Sequence, residues 1–308
     1  MLQHIGYIDL PNHVGVGGFD HAAVHARTGR IFVAHTANDA VDVIDPEAGA
    51  RVFSIPDLRG VAGVLISDES QLVFTSNRAE NTIGIFTPSV HPDIEKIPVG
   101  LRPNGLAYDP VRRLVLVGNV GDAAVSNSHT LSIVGVDDRK VLAEIVVSGR
   151  SRWAVYDPKT EAFYVNIADP PQIVAVASRD PRRIAYAFAV PFAGPHGLDL
   201  DLASHRLFCA CDAQVLVTLD ARTGRLQSQA ELSGVPDVIF FNSARRRLYV
   251  AIGNPGTIDV LDTSTMKRLE SVPSEEGAHT LALAPARDQV YAFLPKTHRA
   301  AVYREGDC

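Results

Sequence analysis

The chain has 308 residues, 46% of them apolar and 21% charged, with 29 basic against 35 acidic residues and a net charge of −6. That balance excludes a general nucleic-acid binder, which needs a concentrated basic face to neutralise phosphates. No run of about 18 apolar residues is present to span a membrane, and three cysteines (Cys209, Cys211 and Cys308) are too few for a disulfide framework.

In chain order, the opening MLQHIGYIDLP lacks a basic n-region and a long apolar h-region, so it does not read as a secretory signal and a cytoplasmic protein is expected. HIGYIDL (4–10) reads as a strand that belongs to no following unit. A unit then begins, GFDHAAVHARTGRIFVAH (18–35), and restarts as VAGVLISDESQLVFTSN (61–77), PNGLAYDPVRRLVLVGN (103–119) and SRWAVYDPKTEAFYVNI (151–167). It continues as PHGLDLDLASHRLFCAC (195–211), PDVIFFNSARRRLYVAI (236–252) and AHTLALAPARDQVYAFL (278–294), seven copies about 42 residues apart. Each copy is a turn into an apolar strand, a short acidic or proline turn, and a second apolar strand. A third and fourth strand follow, as at AVDVID (40–45) and RVFSIP (51–56), or QVLVTLD (214–220) and RLQSQAEL (225–232). Short strands at this period, parted by Asp, Gly, Thr and Pro turns, predict one all-β domain over 1–308: a seven-bladed β-propeller of four-stranded antiparallel blades.

The last copy has three strands, ending at AAVYREG (300–306), so HIGYIDL is expected to supply its fourth and close the ring. An insertion, DAAVSNSH (122–129), falls after the second strand of blade 3. It reads either as a cover for the channel mouth or as a tolerated surface loop.

The sequence FVAHTANDAVDVID, with LVLVGNVGD and LYVAIGNPGTIDVLD, resembles the YVTN family of seven-bladed propellers: a Tyr-Val-Thr-Asn-like strand end, then a hairpin into Val-x-Val-Ile-Asp. The resemblance covers essentially the whole chain and implies the fold, not an activity, because propellers host binding proteins, lyases, lactonases and haem domains alike. The streptogramin lyase and the gluconolactonase-like metal hydrolases are similar propellers. Neither group's full active-site pattern is present here, so no catalytic residue is carried over.

A propeller gathers one equivalent position of every repeat around its axis. The residue just before each first strand is Asp20, Ala62, Asn104, Arg152, His196, Asp237 and His279, spaced 42, 42, 48, 44, 41 and 42 apart. Blades 5, 6, 7 and 1 are consecutive in the ring, so His196, Asp237, His279 and Asp20, followed by His21, are expected side by side. Two neutral imidazoles with one or two carboxylates suit a divalent ion such as Zn, Fe, Mn or Ni. The end of the second strand adds His35 in blade 1, a candidate general acid or base. Asn77 and Asn119 occupy the same frame opposite, near Asn166. With Asn104 they are candidate substrate-binding amides, beside Arg152 and Trp153, which suit a planar or carboxylate-bearing molecule. The competing reading is that such Asp and His residues serve turns, tie neighbouring blades or form a hydrogen-bonded plug.

Other features read as structure. Cys209 and Cys211 share one strand face as small packing residues. Arg245-Arg246-Arg247 is a solvated turn, as are the surroundings of His25, His129, His205 and His298. His4, His13 and His91 have no equivalent in the repeat. Tyr-Asp-Pro (108–110 and 156–158) is hairpin turn chemistry. GxSxG, HExxH, GxxxxGK[ST] and CxxC do not occur. The function expected is a metal-dependent hydrolase or lyase acting on a small organic molecule such as a lactone or cyclic ester. The alternative is a non-catalytic scaffold for a partner protein, a peptide or a haem-like cofactor. Oligomeric state is left open.

Overall fold

The computed structural model describes residues 1–306; Cys308 lies outside them. The described chain forms seven four-stranded antiparallel sheets arranged as the blades of a propeller. Within six of the seven blades, sequence order runs from the axis outwards: Phe19–Val24, Ile31–His35, Ala40–Asp45 and Ala50–Ile55 make blade 1.

The second strands explain the long apolar runs. Ile31–His35, Leu114–Asn119 and Ala162–Ile167 are buried along their whole length, because each is covered on both faces by neighbouring blades. The outermost strands, such as Lys140–Val146 and Lys267–Pro273, are mostly exposed. The core is accordingly a ring of inter-blade clusters. Leu116 and Leu131 of blade 3 pack with Phe163 and Val174 of blade 4, and Phe208 and Leu216 of blade 5 pack with Val250 and Leu261 of blade 6. Cys209 and Cys211 are buried with sulfurs 4.0 Å apart, on the shared face that strand alternation requires.

The acidic turns act through their side chains. Asp109 Oδ1 accepts the Val111 and Arg112 N–H groups at 2.9 and 3.1 Å, and Asp157 Oδ1 accepts that of Lys159 at 2.8 Å. Two turn readings change. Arg247 is buried and donates to Glu305 Oε1 at 2.6 Å, while Arg245 pairs with Asp288 at 2.8 Å, so these arginines lock blade 6 to blade 7. His25 is also buried, with Nδ1 2.8 Å from the Thr28 hydroxyl. Arg245 and Arg247 have partners on the neighbouring blade, and His25 Nε2 lies 3.5 Å from Asp68 Oδ1 of blade 2, which a single repeat does not reveal.

Ring closure follows the expected route. Leu2–Asp9 pairs antiparallel with Arg299–Glu305, from Leu2 opposite Glu305 to Asp9 opposite Arg299. Leu2 enters the cluster between blades 6 and 7, and Ile8 the one between blades 7 and 1. Each such side chain contributes about 1.5–3 kcal/mol by burial. Deleting residues 1–9 is expected to lower the melting temperature by on the order of 10 °C and to expose a sheet edge. An unchanged melting curve would show that the ring does not depend on this strand.

Candidate functional site

Local backbone geometry builds the mouth of the channel. The column residues lie inside the innermost strands, not just before them, in six of the seven blades. Register shifts there, between Phe19 and Ala22, Pro103 and Leu106, Ser151 and Ala154, or Pro195 and Gly197, mark bulges that interrupt the ladder and turn a side chain towards the axis. In blade 7 the strand starts at Thr280, and His279 precedes it as expected. Glycine sets the blade spacing. A Cβ at Gly63, Gly105 or Gly197 would run into the backbone carbonyl of Asn104, Arg152 or Asp237, the column residue of the next blade. Neighbouring side chains hold other column carbonyls: Asn166 Nδ2 donates to the His196 carbonyl at 2.9 Å, and Ser76 Oγ to that of Asn104 at 2.8 Å.

Around this frame the ionisable groups interlock. His196 Nδ1 is 2.7 Å from Asp212 Oδ1; its Nε2 is 3.2 Å from Asp237 Oδ1 and 3.0 Å from Arg152 Nη1. The protonation of Nε2 therefore decides whether the carboxylate or the guanidinium is its partner. Arg152 also reaches Asp212 Oδ2 at 3.4 Å. On the other side His21 Nδ1 lies 2.6 Å from Asp20 Oδ1, and Arg78 reaches both Asp20 Oδ2 at 3.5 Å and Asn104 Oδ1 at 2.5 Å. Burial alone would raise the Asp20 carboxyl, but the hydrogen bond from His21 and the charges of His21, Arg78 and His279 hold it far below the usual range. His279 shows the reverse balance: burial disfavours its proton, yet Asp237, Asp20 and the Gly277 carbonyl raise its affinity above the ordinary 6.5. Burial, then the charges of Arg152, Arg78 and Arg102, depress the Arg150 guanidinium, so four arginines share this end of the channel.

Several expected members lie elsewhere. His35 is wholly buried, with Nδ1 2.7 Å from Asp42 Oδ2, and does not line the mouth. Asn77 and Asn119 are buried because they sit opposite Thr82 and Thr130 in the next strand and bond those hydroxyls at 3.0 and 2.9 Å. Asn166 is spent on the backbone of blade 5. Asn104 does line the mouth, but Arg78 occupies its carbonyl oxygen. The Trp153 indole stacks flat on His21, centroids 3.7 Å and planes 6° apart. Segment 122–129 folds on itself through Asp122 and Ser128 and contributes no residue to the mouth. His196, Asp237 and His279 are brought together, but among the described residues no three His, Cys, Asp or Glu side chains already surround a point where an ion would sit. Residues the repeat frame overlooked are Asp212 and Arg78, one position beyond the second strand, and Arg102 and Arg150, two positions before the column. Extending the same column by one or two places finds all four.

The His21–Trp153 stack divides the channel. On the polar side it leaves a gap of about 10 Å³, bordered by His21, Asn104, Trp153, His196 and Asp237. On the other side an apolar cavity of about 610 Å³ opens towards the inner hairpins, lined by residues such as Ala22, Leu106, Trp153, Phe240 and Leu283. The larger space holds little chemistry. Its one carboxyl facing the wall, Asp199, is pushed up to about 6 by burial against the hydrogen bonds it accepts from the Phe241 and Leu200 N–H groups. Reactive groups are concentrated at the smaller, polar end, which is therefore the candidate site.

No protein-family model matches the chain, and no curated protein does. Among solved structures, hydrazine synthase of Kuenenia stuttgartiensis is similar, with a TM-score of 0.81 over 96% of this chain and 98% of that one. Sequence identity is 11%, so the likeness shows the fold alone. What fold and mouth define is a seven-bladed β-propeller with a charged, divided channel.

Two measurements check this geometry. Gly105→Ala should cost about 1–3 kcal/mol by overpacking, read as a lower urea midpoint; a neutral result would mean the blades are not held at carbonyl contact. A histidine more basic in the fold than in the open chain stabilises fully below its unfolded value and loses that contribution as pH rises through the folded one. Wild-type urea midpoints should therefore fall as pH rises above the ordinary histidine value of 6.5, and His279→Gln should flatten this fall. An identical slope in the variant would remove His279 from the account.

Proposed function

We propose that the polar mouth is the site of a hydrolase or lyase acting on a small anionic organic molecule, such as a carboxylate-bearing lactone or cyclic ester. The observation that carries this reading is the arginine group. Arg78 and Arg152 are engaged with Asp20 and Asp212, whereas Arg102 and Arg150 have no ion pair among the described residues. Like charges held this close favour an anion bound between them, and guanidinium groups grip carboxylates by paired hydrogen bonds. In this reading Arg102, Arg150 and Arg152 hold the anionic end of the substrate. His196, oriented by Asp212, is the base that takes a proton from water or from substrate. His279, whose proton affinity Asp237 and Asp20 raise, is the acid that gives a proton to the leaving oxygen as its bond to carbon breaks.

A divalent ion at the same place is the second reading, favoured by His279 lying within the field of two carboxylates. His196, Asp237 and His279, with Asp20 or His21, would hold Zn, Fe, Mn or Ni, supplying Lewis-acid chemistry. Arg152 would have to leave His196 Nε2 first. Membership of the YVTN repeat group is likewise proposed, on the strength of the repeats. A scaffold function has less support: among the exposed large hydrophobic residues only Tyr7 and Tyr186 are aromatic. Among the described residues no helix is long and apolar enough to cross a membrane.

The test is a screen of carboxylate-bearing lactones and esters against wild type, Arg150→Ala/Arg152→Ala and His279→Ala. The arginine variant should raise KM about 10-fold or more and His279→Ala should lower kcat about 100-fold or more. Turnover unchanged in both would sink the assignment. Metal analysis of wild type against His196→Ala/His279→Ala separates the two readings: metal lost in the variant favours the ion.

A further inference from the structure

Buried imidazole nitrogens rarely go without a partner, yet three do so together beside blade 1: His13 Nε2, His35 Nε2 and His298 Nδ1. The His13 ring is 5.0 Å from that of His35 and 4.3 Å from that of His298, edge to face with both. None of the three borders the polar mouth. They come from three segments: the connection before blade 1, the end of its second strand (Ile31–His35), and the turn before the last strand (Arg299–Glu305).

His35 is the fixed member. It is wholly buried, and its Nδ1 faces Asp42 Oδ2 at 2.7 Å, while the other Asp42 oxygen accepts the Ser54 hydroxyl. A carboxylate at Nδ1 places the ring proton there and leaves the Nε2 lone pair unengaged, which is how carboxylates orient histidines that bind metals. His13 is held above it by a pinned connection. Gly15 N–H donates to the Ala37 carbonyl at 2.7 Å, Val14 N–H to Asn38 Oδ1 at 2.8 Å, and Asn38 Nδ2 to the Asn12 carbonyl at 3.0 Å. Gly17, at φ +116°, allows the sharp return into blade 1. His298 is tied to the same connection, its carbonyl accepting the Leu10 N–H at 2.9 Å.

We propose that His13, His35 and His298 form a binding site for a late first-row divalent ion of the zinc type, separate from the mouth. Three neutral imidazoles are a common ligand set for such an ion, leaving a fourth position for water or another small ligand. The site requires a small rearrangement. In the described positions no three donors yet surround a point, so the rings of His13 and His298 turn about their Cβ–Cγ bonds, a soft torsion. Both stand in connecting segments, and His35 stays in place. A bound ion would tie the N-terminal connection to blades 1 and 7, across the seam where the ring closes.

The experiment uses the full-length, tag-free chain after chelator treatment, titrated with zinc by calorimetry and with cobalt by its visible absorption. One zinc per chain is expected, with a cobalt band of four-coordinate intensity and a higher melting temperature in the presence of zinc. His13→Gln, His298→Gln and the double variant should each weaken binding by at least about 10-fold and remove the cobalt band. Both positions are in loops, and circular dichroism melting confirms that the variants fold. His196→Ala/His279→Ala should keep the site intact, which separates this result from any metal at the mouth. Absence of saturable zinc binding by wild type, or binding untouched by the His13 and His298 variants, overturns the proposal and leaves ordered water as the partner of the three nitrogens.

Discussion

The mouth depends on the close approach of one blade's backbone to the next, and that approach depends on side chains that are missing. Gly63, Gly105 and Gly197 each lie against the carbonyl of the next column residue, with no room for a Cβ. Because the contact is backbone to backbone, it fixes where the neighbouring bulge begins and so where its side chain points. Arg152 and Asp237 are aimed in this way, while Asn166 performs the same service for His196 through its amide. Precision of the column residues within strands is thus inherited from blade packing, while Arg78, Arg102, Arg150 and Asp212 stand in the adjoining turns. Sites on rigid elements hold their geometry better than sites on mobile segments.

That rigidity explains how so many charges share a small space. An unpaired charge out of water is expensive, and a pair is tolerated only with good geometry and further hydrogen bonds. Here each carboxylate has a guanidinium or imidazole partner around the ring: Asp20 with Arg78 and His21, Asp212 with Arg152, Asp237 with His196. The displaced proton affinities of Asp20 and His279 are two sides of one balance, since each figures among the causes of the other's shift. Arg102 and Arg150 fall outside the balance. The excess positive charge they leave is the ground on which an anionic ligand is proposed.

The fold was legible because a propeller writes itself into the sequence seven times. Seven apolar second strands, their acidic turns and the orphan strand at the N-terminus placed the blades and the seam, since continuous apolarity reports burial on both faces. The column was legible as a set of positions, and His196, Asp237, His279, Asp20 and Arg152 do converge. Partners were harder to read. Asn77 and Asn119 looked like a binding wall, but a residue ending one strand faces the residue starting the next, and Thr82 and Thr130 were there to take the bond. The repeat frame points His35 to the mouth, but Asp42, seven residues on in the paired strand, holds its ring inside. Asp212, Arg78, Arg102 and Arg150 lie outside the repeat frame because they stand in the turns one or two places beyond the strand positions it aligns.

The division of the channel bears on the chemistry. Trp153 borders both spaces, and with His21 stacked on it the pair parts charged groups from an apolar cavity of about 610 Å³. A cavity wall of Ala, Val, Leu and Phe is a low-dielectric backing, and a field beside such a wall is screened less than one in water. Asp199, the carboxyl on that side, registers the effect directly in its raised affinity for a proton. The charges on the polar side are only partly exposed, Asp20 at 18% and Arg152 at 15% of their side-chain surface. For the anion proposed to bind there, interactions beside such a wall would be stronger than the same residues would provide on an open surface.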